Sequence, residues 1–120
     1  GKFRVYTDNG SNNSDLDPVE FAKRCAGLGA GEILLNSIDR DGTYKGYDLQ
    51  LLQMVASAVD IPIVACGGAG SVQDFRDAVV QGKASAVSAG SMFVFQRPHN
   101  AVLISYPPQK QLMEELYTKF

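Results

Sequence analysis

The chain has 120 residues, 45% of them hydrophobic and 20% charged, with a net charge of −2, which describes one domain able to bury an ordinary core and too short for two. Eleven basic residues against thirteen acidic ones, with no Lys/Arg run longer than two, exclude the electrostatic footprint of a nucleic-acid binder or of a protein held on an anionic membrane. No apolar run approaches the roughly 20 residues that span a bilayer, and the start Gly1-Lys2-Phe3 lacks a secretory-signal pattern, so the chain reads as cytoplasmic. Cys25 and Cys66 are too few for a disulfide framework and have no metal-ligand spacing, and the single His99 offers no zinc centre or His-based triad. Neither a metal nor a cofactor is expected.

In chain order, Lys2 to Thr7 reads as a short alternating strand, followed by a polar loop over residues 8–14. Asp17-Pro18-Val19-Glu20 predicts a capped helix start, and the helix runs to about Leu28 before stopping at Gly29. Glu32 to Ile38 is a nearly continuous apolar run of strand length, as a parallel strand covered on both faces requires. It ends in the turn Asp39-Arg40-Asp41-Gly42-Thr43. Asp48 caps a helix whose Leu51, Leu52, Val55, Ala56 and Val59 recur on one face. Ile61 to Ala65 is a third strand, joined by Gly67-Gly68-Ala69-Gly70 to a helix opened by a Ser71–Asp74 capping box and carrying Val72, Phe75, Ala78 and Val79 inward. Ala84 to Ala89 is a fourth strand, ending at Gly90-Ser91. Arg97 to Pro108 is an irregular connection with a short strand at Ala101–Ser105. A last helix from about Lys110 to Tyr117 carries Leu112, Met113 and Leu116.

Repeated strand–helix units of about 30 residues imply an α/β fold with a parallel sheet, either doubly wound or part of a (β/α) barrel. A complete barrel takes about 250 residues. In either architecture ligands bind where strands end and helices begin. Asp39 and Asp41 share a parity on an extended chain and could both face a substrate as acid–base groups; alternatively Asp39 pairs with Arg40 at the surface while Asp41-Gly42 makes a turn. Gly67-Gly68-Ala69-Gly70 before Ser71 places backbone N–H groups and a helix N-terminus where an oxyanion could sit, although the same glycines serve tight strand–helix packing. Ala89-Gly90-Ser91 supplies a glycine and a hydroxyl beside that loop, as in barrels that grip a phosphate between their last two loops. Cys66 has no basic sequence neighbour and reads as a packed thiol, Cys25 as helix core, and His99 as a solvated or structural loop residue.

Gly31-Glu32-Ile33-Leu34-Leu35-Asn36-Ser37-Ile38-Asp39-Arg40-Asp41-Gly42-Thr43, then Gly46-Tyr47-Asp48 and Ala65-Cys66-Gly67-Gly68-Ala69-Gly70 closely resemble the cyclase subunit of imidazole glycerol phosphate synthase. The likeness covers essentially the whole chain and corresponds to the C-terminal half of that barrel, from the hairpin after its fifth strand. It implies a half of a (β/α)8 TIM-type barrel, with residues 1–120 forming one half-barrel domain of about four βα units. It also implies a lyase of histidine biosynthesis, in which ammonia from a glutaminase partner attacks a phosphoribulosyl formimino carboxamide ribonucleotide. The products are imidazole glycerol phosphate and an aminoimidazole carboxamide ribonucleotide.

Carried onto this chain, Asp41 matches an auxiliary acidic residue near the substrate, and Gly42, Gly67, Gly68, Gly90 and Ser91 match the loops that bind a phosphate of the ribulose-type substrate. Cys66 stands where many relatives have serine. The family's two principal catalytic aspartates lie on its first and fifth strands, outside this chain, so the chain alone is expected not to catalyse the cyclisation. The tail from Phe93 to Pro107 is similar to paralogues in surface-polysaccharide pathways, which pass ammonia toward sugar amidation. A half-barrel exposes two strand edges and an apolar inner face, so association with a second copy or with a complementary half-barrel is expected. The competing readings are a non-catalytic phosphate-binding module and a purely structural assembly element.

Overall fold

The structure, a computed structural model, describes residues 2–120. Its centre is a parallel sheet of three strands, β3 (Ile33–Asn36), β4 (Ile63–Cys66) and β5 (Ala86–Val87), in that spatial order. Helix α1 (Pro18–Gly27) precedes β3, and α2 (Leu49–Ala56) and α3 (Val72–Val80) form the two crossovers. The helix starts follow from local chemistry. Asp17 Oδ1 accepts from the N–H groups of Val19 at 2.9 Å and Glu20 at 3.1 Å, and Asp48 Oδ1 accepts from Leu51 N–H at 3.0 Å, each satisfying donors that the first turn leaves orphaned. Gly29, at φ +100°, ends α1 where the sequence places its stop.

The opening segment departs from expectation. Only Tyr6–Thr7 is extended as a strand, β1, and it pairs antiparallel with β2 (Asn12–Asn13) instead of joining the parallel sheet. The polar stretch is therefore the return arm of a hairpin. Asp8, Asn9 and Gly10 all adopt positive φ, a conformation that Asn, Asp and Gly tolerate best, and Asn12 Nδ2 donates to Thr7 Oγ1 at 3.1 Å across the arms. The parallel sheet accordingly has three of the four anticipated strands.

The C-terminal connection is also more regular than its sequence suggests. A short helix α4 (Ser91–Val94) leads into an antiparallel hairpin of β6 (Phe95–Gln96) and β7 (Ala101–Val102), and α5 (Gln109–Glu115) with a final 3-10 turn (Tyr117–Lys119) packs back on α3. Leu112 and Leu116 are buried, but Met113 points outward, because its position falls off the face that α5 presents to α3.

Register decides which sheet face is covered. Ile33 pairs with Ile63 and Leu35 with Ala65, and this face packs on Leu52, Val55, Phe75 and Ala78 of α2 and α3. Val55 and Ile63 are almost completely buried, each contributing about 2 kcal/mol of apolar burial. The opposite face carries Leu34, Val64 and Ala86 in one row. Leu34 is 60% exposed there, although a parallel sheet is ordinarily covered on both sides. Among the described residues, no helix is long and apolar enough to cross a membrane.

Candidate functional site

Because β3, β4 and β5 are parallel, the loops leaving their C-terminal ends share one end of the sheet. The first two loops are stitched together. Gly46 N–H donates to the Gly68 carbonyl at 2.8 Å, and Gly68, at φ +109°, leaves no room for a Cβ, which would overlap the Gly46 carbonyl oxygen. At Gly67, φ +88°, a Cβ would lie 2.6 Å from both Asn36 Oδ1 and the Ser37 carbonyl oxygen. These two glycines thus meet a packing demand at the strand ends.

Their backbone donors add a second property. Gly67, Gly68 and Ala69 are buried, and among the described residues no protein acceptor receives their N–H groups. Buried backbone donors in that condition are uncommon. Gly70 and Ser71 differ: their N–H groups donate to Asp74 Oδ2 at 2.8 and 2.9 Å, completing the capping box of α3. The first two amides at the start of α3 are thus taken up by the protein's own carboxylate, as the expected Ser71–Asp74 capping box requires.

Gly90 and Ser91 follow β5, the neighbour of β4, and Ser91 opens α4. Gly42, at φ +74°, has open space around its missing Cβ. Residues 37–43 are not extended. Arg40 and Asp41 donate their N–H groups to the Ser37 carbonyl at 3.1 and 2.9 Å, and Thr43 N–H donates to the Arg40 carbonyl at 3.0 Å. This coil removes the shared parity of Asp39 and Asp41. Arg40 forms no ion pair with Asp39 among the described residues; its Nη1 donates to the Lys45 carbonyl at 3.3 Å. Asp41 lines a cleft of about 660 Å³ between the β1–β2 hairpin, α1 and β3, and Cys25 lines the same cleft. Gly67, Gly68, Gly90 and Ser91 are not among the residues that line it.

Three features escaped the sequence reading. Asn36 pairs with Cys66 in the β3–β4 register, and the β4–β5 register carries Ser88 alongside, so a polar row crosses the bare face at the strand ends. The alternation beginning at Ile33 hints at the side on which Asn36 stands, but the pairing emerges only from the folded sheet. Arg97 stacks on Tyr44 across a long sequence interval. Tyr47, which is buried, donates its phenol to the Ser88 carbonyl at 2.7 Å, clamping the loop after β3 onto the end of β5.

Burial pushes the Tyr47 phenol well above the usual tyrosine range, and the neighbouring Cys66 and Asp74 push it the same way. The folded state therefore keeps this proton where the unfolded chain, with a tyrosine value near 10, loses it. The contribution is fully present below about pH 10 and is lost as pH rises above it, at up to about 1.4 kcal/mol per pH unit. We expect Tyr47→Phe to cost about 1–2 kcal/mol at pH 7 by orphaning the Ser88 carbonyl, and the gap from wild type to shrink above pH 10. Urea unfolding of both proteins at pH 7 and at alkaline pH checks this; a gap that does not change with pH refutes it.

Residues 1–98 match the family model described as "Histidine biosynthesis protein". Over 116 residues, 97% of the chain, it is 47% identical to imidazole glycerol phosphate synthase subunit HisF of Alkaliphilus metalliredigens. Over 93 residues, 78% of the chain, it is 55% identical to the subunit of the same name from Hyphomonas neptunium. The matches span 44% and 37% of those two proteins, so the chain corresponds to less than half of each. The parallel sheet with its glycine loops at one end, the long family match and these identities converge: this chain belongs to the histidine biosynthesis protein family.

Proposed function

We propose that this chain is the C-terminal half-barrel of a cyclase of the imidazole glycerol phosphate synthase type and supplies one of its phosphate-binding sites. The observation that supports the reading is that the N–H groups of three buried residues, Gly67, Gly68 and Ala69, at the ends of parallel strands find no protein acceptor among the described residues. Successive backbone donors can stabilise an oxyanion without a cationic side chain. Gly90 and Ser91 border the same phosphate from the next loop, Gly42 approaches it from the loop after β3, and Asp41 serves as an auxiliary acidic group.

In this reading the substrate is a ribulose-type phosphate ester, and ammonia arrives from a glutaminase subunit. The principal acid–base pair belongs to the other half of the barrel, so this chain binds and positions while the complementary half performs proton transfer. The bare face of Leu34, Val64 and Ala86 and the free edges of β3 and β5 support a requirement for that half. A second copy of the chain is the substitute occupant of the same face.

The test is an NMR titration with a ribulose-type phosphate ester, followed by turnover assays with the complementary half-barrel added in trans. Saturable shifts are expected at Gly67, Gly68, Ala69 and Gly90, with the Gly70 amide held by Asp74. Turnover is expected only when both halves and an ammonia source are present. Absence of saturable shifts at the glycine loops in the assembled protein overturns the phosphate reading; binding without turnover in that assembly assigns the chain to a non-catalytic module.

A further inference from the structure

A separate cleft opens beside the glycine loops at the C-terminal hairpin. Its volume is about 350 Å³, within the range that holds small organic ligands. Tyr44 comes from the loop after β3, Gly70 from the loop after β4 and Met92 from α4, while Phe95, Arg97 and Ser105 close it from the hairpin side. Gly70 is required for this closeness, because a Cβ there would stand 2.6 Å from the Tyr44 carbonyl oxygen.

The polar chemistry of the cleft is cationic. The Arg97 guanidinium lies 4.8 Å from the centroid of the Tyr44 ring, a stacking contact that orients the group without consuming its N–H donors. The Tyr44 phenol donates to Asn100 Oδ1 at 3.3 Å and so ties the aromatic platform to the hairpin. Among the described residues, the ion pairs are Lys23–Glu20 and Lys110–Glu114, and the arginines whose side chains donate hydrogen bonds are Arg4 and Arg40. Arg97 is in neither group. Among the described residues, no carboxylate lines the cleft. An oriented, unpaired guanidinium with a nearby hydroxyl and an apolar wall of Met92 and Phe95 suits an anion carried on a small apolar body.

We propose that this cleft is a subsite for a small organic phosphate monoester, held through its oxygens by Arg97 and Ser105 and through its body by Phe95 and Met92. A phosphate matches the donor set better than a carboxylate because its three terminal oxygens can accept from the guanidinium fork and the hydroxyl together. The cleft borders the loop after β4 at Gly70 but is lined by neither Gly67 nor Gly68, and its donors, Arg97 and Ser105, are independent of the role proposed for those two glycines.

Titration of the chain with phenyl phosphate, followed by NMR at Arg97 Nε–H and at the amides of Leu103 and Ser105, tests the proposal. Saturable shifts are expected, with Arg97→Gln weakening binding roughly ten- to a hundred-fold. Arg97→Lys keeps the charge, loses the fork and gives an intermediate loss. Ser105→Ala leaves the Arg97–Tyr44 stack intact and is expected to weaken binding about three- to tenfold. Shifts at Gly67 and Gly68 report the other site separately. The proposal is overturned if the hairpin shifts do not saturate, if benzyl alcohol produces them equally, or if Arg97→Gln and Ser105→Ala both leave them unchanged.

Discussion

Gly68→Ala is expected to destabilise the fold by about 3 kcal/mol or more, because two costs fall on one residue. At φ +109° an alanine is strained whatever the surrounding space, and its Cβ would overlap the Gly46 carbonyl oxygen and lie 3.0 Å from Arg40 Cβ. Relief by local movement breaks the 2.8 Å bond from Gly46 N–H to the Gly68 carbonyl, which joins the loops after β3 and β4. Gly42→Ala is the control: φ is +74°, but nothing lies within 4 Å of the added carbon, so only the backbone penalty of about 1–2 kcal/mol applies. Chemical denaturation of both variants measures the difference. Equal losses would show that the close approach of the two loops contributes nothing.

Phe75→Ala is expected to cost about 4 kcal/mol, a large share of the roughly 5–15 kcal/mol that stabilises an ordinary domain. Phe75 is 3% exposed on the inner face of α3. Its ring centroid lies 6.5 Å from that of Tyr47 and 6.1 Å from that of Phe93, edge-on to the latter, and Phe93 in turn stands 4.9 Å from Tyr106. Truncation therefore empties a junction between α3, the clamp loop and the C-terminal segment. Phe75→Leu retains most of the volume and is expected to cost about 1–1.5 kcal/mol. The midpoint should fall in both variants with little change in denaturant slope; a loss below 1 kcal/mol for Phe75→Ala would refute the role assigned to this junction.

The helices were legible because their signals are local. Asp17, Asp48 and the Ser71–Asp74 box each act within three residues of themselves, and the apolar spacing of α2 and α3 matches the faces they bury. The parallel strands were legible as apolar runs joined through helices, and the glycine loops as strand-end turns. The family resemblance was carried by the long motif through Asp41-Gly42-Thr43, and the family match bears it out.

The two hairpins were not legible in the same way. Tyr6–Thr7 against Asn12–Asn13 is a polar, two-residue pairing set by the left-handed run at Asp8, Asn9 and Gly10, which propensity alone does not distinguish from a loop. Coiling of residues 37–43 likewise removed the extended-chain parity of Asp39 and Asp41, since three N–H donors found acceptors within the turn.

Local sequence chemistry sufficed for the capped helix starts, the α/β class, the glycine-bearing strand ends and the family, whereas α2 stops at Ala56, short of the expected Val59, and the short α4 went unread. Contacts between distant residues settled the rest: which sheet face stays bare, which loop amides Asp74 consumes, how Tyr47 reaches Ser88, and where Arg97 meets Tyr44. The physical reason is range. Caps and turns satisfy their donors within a few residues, whereas register, stacking and the pairing of a buried phenol depend on chain segments that meet only after the sheet and its crossovers have formed.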